Sequence, residues 1–372
     1  MHIVVLCKRQ YTNRDVIDDQ FGRLWEIPAA LAEQGHTVTA ICLSYQRRST
    51  GEVASIEAGA GRVRWISMNA GPFWLAGFFR YLVFVKDFIR KARPDVIWSA
   101  SDTIYAILGQ SLGRRNRCCV VTDLYDNFEY FGSYKLPPVR SRFRRAVRES
   151  DGISCVSQAL QGHLRENYSR QQNTVVVTNA VDTGVFHPMD KTACREQLGL
   201  PVDATLVGAA GDISNYRGAD TLYEAFAANA QEPTGPMLVV AGYRTPETRI
   251  PDSENVIDLG QLAPAAIPAF LNCLDLAVIY NRSSTFGDFC FPQKFFEALA
   301  CKVPVVVARV GELGHLLERQ PELYYADGDA EDLWTAVHRQ LGNRYLADIQ
   351  VPTWKDQAEL LSQLLHSVCD ES

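Results

Sequence analysis

Short apolar runs alternate along the chain with segments whose apolar residues recur every third or fourth position. Residues 2–7 read as a strand around the apolar run 3–6, and 23–34 follow with Leu24, Ile27 and Leu31 on one helical face. Gly35 and His36 make the turn out of that helix, with His36 as a structural residue, and 37–43 is the next strand. Strands at 63–68, 95–99, 118–122, 152–156 and 174–178 then alternate with helices at 78–92, 105–112, 140–150 and 159–168. The alternation restarts with strands at 205–209, 237–241, 256–259, 275–280 and 305–308, and helices at 218–228, 266–271, 294–300 and 332–341. Strands and helices in strict alternation predict parallel β-α-β units. The expected fold class is α/β: two Rossmann-like, doubly wound parallel-sheet domains facing a cleft.

The first domain is expected over 1–182 and the second over 189–350. The polar stretch 182–200, which holds Pro188, reads as their linker. A last helical pattern, about 354–369, is expected to pack back on the first domain. A chain of 372 residues has room for two cores.

Composition narrows the class. With 47% hydrophobic and 22% charged residues the chain is globular. The apolar run after Met1 is too short for a signal-peptide core. The most apolar later stretch, 73–85, is broken by Arg80 and falls short of the roughly 20 residues that span a bilayer. Ten cysteines include no CxxC pair, so a reduced, cytoplasmic protein without a metal is expected. No GxGxxG follows a predicted strand, which disfavours a nicotinamide dehydrogenase. Charge divides unevenly. Residues 1–182 hold 24 Lys and Arg against 17 Asp and Glu, and residues 183–372 hold 13 against 26. A basic half either meets something anionic or holds the two halves together.

Four segments then carry a family likeness. FGRLWEIPAALAEQGHTV (21–38) lies close to a GR-x-x-E-L-P-x-x-L-A-x-x-G-H-x-V pattern. VVVTNAVDTGVFHP (175–188), GAAGDISNYRGADTLYEAFA (208–227) and FPQKFFEALACKVPVVVARVGEL (291–313) follow in order. Together they resemble the retaining family 4 glycosyltransferases of GT-B fold. The resemblance implies sugar transfer from a nucleoside-diphosphate sugar to a glycan, lipid-linked or small-molecule acceptor, with retention, no metal and no cofactor.

That chemistry needs cations for the diphosphate, a grip on the ribose and orientation of the hexose. Arg217 falls where the family has its phosphate-binding Lys, and an Arg fork suits phosphate oxygens. Glu297 matches the acidic residue that accepts from ribose hydroxyls. Lys294 stands one helical turn earlier, near a helix N-terminus that also favours phosphate. These three are the expected catalytic group.

Asp212 replaces the motif's usual Arg and Phe289 its earlier Glu. Arg217 and Lys294 would then carry the neutralising charge together, with Asn215 and Tyr216 supplying hydrogen bonds, or the donor is held more weakly. Gly211, Gly218 and Gly311 are expected to let backbone approach the donor, and backbone N–H groups around Phe291, Pro292 and Gln293 to anchor the hexose.

In the first domain Gly22 and Arg23 sit at a loop-to-helix turn. Arg23 is expected either to close over the donor or to be a surface residue. Tyr125, Asp126, Asn127 and Glu129 follow a predicted strand and stand where the family often has a cleft His; Asp126 and Asn127 alternatively build a turn. Phe73, Trp74, Leu75, Phe78 and Phe79 precede Lys86, Arg90, Lys91 and Arg93, and 139–149 holds five arginines. This pattern suits peripheral contact with an anionic membrane at the inner face of the plasma membrane, or equally a core-packed helix with a solvated face. Nucleic acid is not an expected partner. Two other readings stay open: a nucleotide-sugar epimerase on the same fold, and a catalytically silent nucleotide-sugar-binding scaffold.

Overall fold

In the computed structural model, which describes residues 1–11, 14–170, 172–230, 235–244, 248–251, 253–291 and 293–370, the chain divides into two compact units. One is Met1–Asn179 with Trp354–Ser372, the other Ala180–Thr353. The first runs β1 (His2–Lys8), β2 (Gln10–Tyr11), β3 (Arg14–Asp15), α1 (Arg23–Glu33), β4 (Thr37–Ser44), β5 (Gly51–Ala58), β6 (Gly61–Asn69), α2 (Trp74–Ala92), β7 (Val96–Ala100), α3 (Thr103–Asn116), β8 (Cys119–Leu124), α4 (Pro137–Glu149), β9 (Gly152–Cys155), α5 (Gln158–Tyr168) and β10 (Thr174–Val176). The second runs α6 (Lys191–Leu198), β11 (Leu206–Ile213), α7 (Ala219–Ala228), β12 (Met237–Arg244), β13 (Val256–Asp258), α8 (Ile267–Asn272), β14 (Leu276–Ile279), α9 (Gln293–Ala300), β15 (Val305–Ala308), α10 (Gly311–Leu316), β16 (Tyr324–Tyr325) and α11 (Ala330–Gly342). Last comes α12 (Trp354–Asp370), which returns to the first unit.

The first unit's sheet has the order β10-β9-β8-β7-β1-β4-β6-β5. It is parallel except for β5, which pairs antiparallel with β6. Its central strands are buried on both faces, which is why they read as unbroken apolar runs. From β1 the chain steps to β4 and β6, then crosses back to β7 and on to β10. Right-handed crossovers therefore place α1 on one face and α2 to α5 on the other. Packing agrees: Tyr81, Val85 and Ile89 of α2 and Tyr105 and Leu112 of α3 share one core with Val4, Leu6, Ile41 and Ile97. Helix α12 packs on α1 and on β8 to β10, burying Trp354, Ala358, Leu361 and Leu365, and His36 Nε2 meets Ser362 Oγ at 2.9 Å.

The second unit's sheet is wholly parallel, in the order β13-β12-β11-β14-β15-β16. In order of appearance that is 3-2-1-4-5-6, with the reversal between β11 and β14. Such a reversal opens a crevice at the strands' carboxyl ends, where doubly wound sheets bind ligands. In the first unit the reversal lies between β1 and β7.

Besides the short β2, β3, α10 and β16, which no predicted run covers, three further elements depart from the sequence expectation. Helix α2 starts at Trp74, not at 78, so its first turn projects Phe73, Trp74 and Leu75 outward. Strand β5 was not expected, because an edge strand with polar residues on both faces carries no apolar run. Helix α6 lies inside the expected linker, held by buried Arg195 bonding Asp275 at 2.7 Å.

Candidate active site

The second unit gathers its candidate residues at the β11/β14 reversal. Strand β11 ends in Asp212 and Ile213, and a single 3₁₀ turn, Asn215–Arg217, leads to Gly218 and α7. Gly218 has φ 99°, and a Cβ there would stand 3.3 Å from the Asn281 carbonyl. The turn thus packs directly on the chain leaving β14, which only glycine permits in this conformation.

Arg217 lies on that chain too. Its guanidinium sits 4.2 Å from the centroid of the Phe286 ring, and its Nη1 is 3.6 Å from Cys290 Sγ. Asp212 stands 3.9 Å from Arg217 Nε, so a carboxylate offsets part of the guanidinium charge. Tyr216, expected as a hydrogen-bond donor to a ligand, gives its hydroxyl to Asp212 instead. Asn215 turns its carbonyl to Arg282, which also reaches Asp220 at 2.8 Å and Thr221 at 3.1 Å. Arg282 was not foreseen: its partners lie some 60 residues away and no motif marks it.

Helix α9 supplies the other pair. Lys294 Nζ meets Glu297 Oε2 at 2.6 Å, with Glu297 4% exposed and Phe295, Phe296 and Ala298 buried around it. A solvated surface pair is therefore not what the structure shows. Gln293 opens the helix, and Pro292 lies outside the described residues. Phe291 packs inward, stacked on Phe296 at 4.6 Å. The N–H groups of Asp288, Phe289 and Cys290 already bond within their turn. Gly311 begins α10 at φ 56°, where a Cβ would lie 2.6 Å from the Asp288 carbonyl. It holds α10 against the loop before α9. Gly211, at φ 127°, has open space where a Cβ would point.

The first unit corrects one expectation outright. Arg23 does not project toward a ligand and is not a surface residue; it is 0% exposed. Its Nη2 bonds Asp123 at 2.9 Å and its Nη1 the Val177 carbonyl at 3.1 Å. Burial is the foremost influence on Asp123 and lifts its carboxyl above the ordinary range, against the opposing Arg23 charge and the Ser154 bond. A charge with so little water needs a partner, and Arg23 is it. Gly22 precedes α1, with the Tyr11 ring 2.7 Å from where a Cβ would stand.

Tyr125 packs edge-on to Tyr11 and Phe128, both at 5.2 Å, and donates to the Ser101 carbonyl at 2.7 Å. Asp126 and Asn127 build a turn: Asp126 Oδ1 accepts from Asn127 N, and Asn127 Oδ1 from Glu129 N. Glu129 accepts from Tyr134 at 3.0 Å and from Tyr168, with His163 Nε2 at 3.4 Å. Burial alone would raise its carboxyl, but the bonds from His163, Tyr168 and Tyr134 outweigh burial and hold it at about 2. Glu129 therefore ties α5 and the 3₁₀ turn Gly132–Lys135 to the loop after β8, with Arg144 of α4 at 4.0 Å.

At the β1/β7 reversal the structure adds residues the sequence did not single out. Lys8 pairs with Asp102 at 2.5 Å, and Ser101, nearly buried, takes φ 118° while its Oγ accepts from Lys8 N. A non-glycine residue in that region stores strain of about 1–3 kcal/mol, and such strain gathers at functional sites.

Comparisons with known proteins bear on the family and the fold. The sequence pattern of Glycosyltransferase Family 4 matches residues 23–185, and that of Glycosyl transferases group 1 matches 204–343. A D-inositol 3-phosphate glycosyltransferase of Segniliparus rotundus is 31% identical over 202 residues, 51% of this chain and 44% of its own length. A GDP-mannose-dependent alpha-(1-6)-phosphatidylinositol dimannoside mannosyltransferase of Mycobacterium tuberculosis is 26% identical over 63% of this chain and 62% of its own. The chain thus spans less than two thirds of these relatives. Sucrose-phosphate synthase from Thermosynechococcus elongatus superposes with TM-score 0.71 over 100% of this chain and 96% of its own, at 17% identity. Anabaena HepE, solved with UDP and glucose, gives 0.67 over 99% and 97%, at 18%. At such identities the likeness speaks to the two-domain GT-B fold.

Proposed function

The chain belongs to glycosyltransferase family 4, and from that premise we propose that it transfers a hexose from a nucleoside-diphosphate sugar to a glycan, lipid-linked or small-molecule acceptor, retaining anomeric configuration. What supports this is that Arg217, set 3.6 Å from Cys290 in the segment before α9, and the Lys294–Glu297 pair of α9 belong to the segments that follow β11 and β14, the strands that flank the reversal. Arg217 and Lys294 supply cationic donors for the diphosphate, and Glu297, held by Lys294, offers its remaining acceptor capacity to vicinal ribose hydroxyls. As the bond from the anomeric carbon to the diphosphate breaks, charge grows on the leaving oxygen beside these cations. The acceptor oxygen bonds the same face of the sugar, and its proton passes to the leaving phosphate. No resident cofactor enters this scheme; the nucleotide sugar is substrate. Asp212 beside Arg217 lowers the positive potential offered to the donor, which favours the silent-binder reading to that extent.

Thermal shift against a panel of nucleoside diphosphates tests the site. A ligand at 100 times its Kd stabilises by about 2.7 kcal/mol, and Arg217→Ala or Glu297→Ala is expected to abolish the response. Unchanged responses in both variants reject the assignment. Diphosphate release that requires acceptor separates transferase from binder.

The finer reading of location follows from α2. Phe73 is 79% exposed and Phe79 66%, with Trp74, Leu75 and Val83 also exposed, while Lys86, Arg90, Lys91 and Arg93 follow on the same helix or at its end. No described helix is long and apolar enough to cross a membrane. An apolar tip with flanking cations suits contact with an anionic inner leaflet from the cytoplasm. Phe73→Ser with Phe79→Ser is expected to abolish flotation with anionic vesicles; retained flotation removes the idea.

A further inference from the structure

On the α2–α5 face of the first unit, α3 and α4 lie side by side and leave a hollow of about 680 Å³ between them. Ile107 and Ala146 supply its apolar lining. Arg114 and Arg115 stand on the α3 side, Arg142 and Arg145 on the α4 side, and Glu149 is the one acidic residue of the lining. Glu149 pairs with Arg114 at 3.2 Å and approaches Arg145 at 3.8 Å. Arg115 and Arg142 have no ion-pair partner among the described residues. Four guanidinium groups facing one carboxylate leave an excess of three positive charges in one concavity.

The bland account is that basic residues favour the last turn of a helix, where they meet the negative end of its dipole. That covers Arg114 and Arg115, in the last turn of α3. It does not cover Arg142 and Arg145, which sit in the middle of α4 and face the same hollow. Like charges gathered without counter-ions repel, and the arrangement is relieved by an anion with several acceptor oxygens. Planar guanidinium forks match phosphate oxygens two at a time, and a concave wall holds more of them on one ligand than a convex surface does.

We propose that the hollow between α3 and α4 is a binding site for a phosphate group, borne either by a soluble phosphoester or by a lipid headgroup. It lies on the first unit, is built from residues outside the β11/β14 site, and does not depend on sugar transfer.

The test compares inorganic phosphate with chloride at equal ionic strength by thermal shift on the full chain, since bulk screening then cancels. The parent is expected to gain midpoint in phosphate. Arg142→Gln with Arg145→Gln is expected to cut that gain at least in half, while the variant's midpoint in chloride does not fall below the parent's, which shows an intact fold. A control pair of exposed residues outside the hollow, Arg62→Gln with Arg165→Gln, removes the same charge and is expected to keep the gain. Arg217→Ala is likewise expected to keep the larger part, which separates this site from the candidate donor site. A second arm, run in the Phe73→Ser, Phe79→Ser background so that the α2 tip does not contribute, measures flotation with phosphatidylcholine vesicles, with and without phosphatidic acid. Flotation only with phosphatidic acid, lost in Arg142→Gln with Arg145→Gln, assigns the phosphate to a lipid; a thermal response without flotation assigns it to a soluble phosphoester. Retention of the phosphate gain in the α3–α4 variant, or equal loss in the control pair, overturns the site.

Discussion

Replacing Arg23 by Met removes a guanidinium with no solvent exposure and leaves Asp123, equally buried, with Ser154 as its remaining bonded side chain. The Val177 carbonyl loses a donor in the same step. Breaking a buried ion pair from one side costs about 3–5 kcal/mol. In a unit of this size that lowers the midpoint by roughly 6–20 °C. The loss depends on pH in a defined direction. Asp123 is already raised by burial, with Arg23 opposing; without Arg23 it rises further and takes up a proton in the folded state. A carboxyl raised by folding favours the folded state below its unfolded value, and that advantage disappears as pH climbs through the folded value. Arg23→Met is therefore expected to be most destabilised at about pH 8 and to recover toward about pH 5. Arg23→Met with Asp123→Asn should regain part of the deficit, because the uncompensated charge is gone. Urea unfolding followed by circular dichroism at both pH values reads all three. A deficit below about 1 kcal/mol, or one equal at both pH values, or a double variant no better than the single, refutes the argument.

Glu129→Gln tests a carboxyl shifted the other way. Its folded value is depressed to about 2 from 4.5, so the parent's advantage is full above about 4.5 and fades as pH falls toward 2. Acid-unfolding curves of the two proteins should converge there; a constant gap contradicts the assignment. Gly311→Ala places a Cβ against the Asp288 carbonyl at a positive φ. It is expected to cost at least about 1–2 kcal/mol and to weaken nucleoside-diphosphate stabilisation, whereas Gly342→Ala, with open space around it, is the neutral comparison. Arg217→Lys keeps the charge but not the fork, so it should retain part of the thermal response that Arg217→Ala loses.

The inner strands of both sheets were legible because they are covered on each face and so stand out as apolar runs, as in 3–7 and 305–308. The Lys294–Glu297 spacing was legible for a local reason: one helical turn fixes it. What escaped the sequence was fixed by distant partners. Arg23 reads as a loop-edge cation until Asp123, 100 residues on, is seen beside it. Arg195 reads as linker until Asp275 appears. Glu129 reads as a free carboxylate until Tyr134, His163 and Tyr168 converge on it. For Phe73 and Trp74 the sequence left two readings open, outward or core-packed, since apolar periodicity marks a helix without saying which turns lack a neighbour; both are exposed.

Helix α12 makes the first unit a discontinuous structure, with all of Ala180–Thr353 threaded between its two segments. A chain emerging from the ribosome can complete the inserted body while the outer one still lacks the layer that covers α1. During synthesis the apolar face of α1 stays uncovered until α12 has been made. A nascent chain arrested near residue 350 would display that sticky face to chaperones even though most of the sequence was already made.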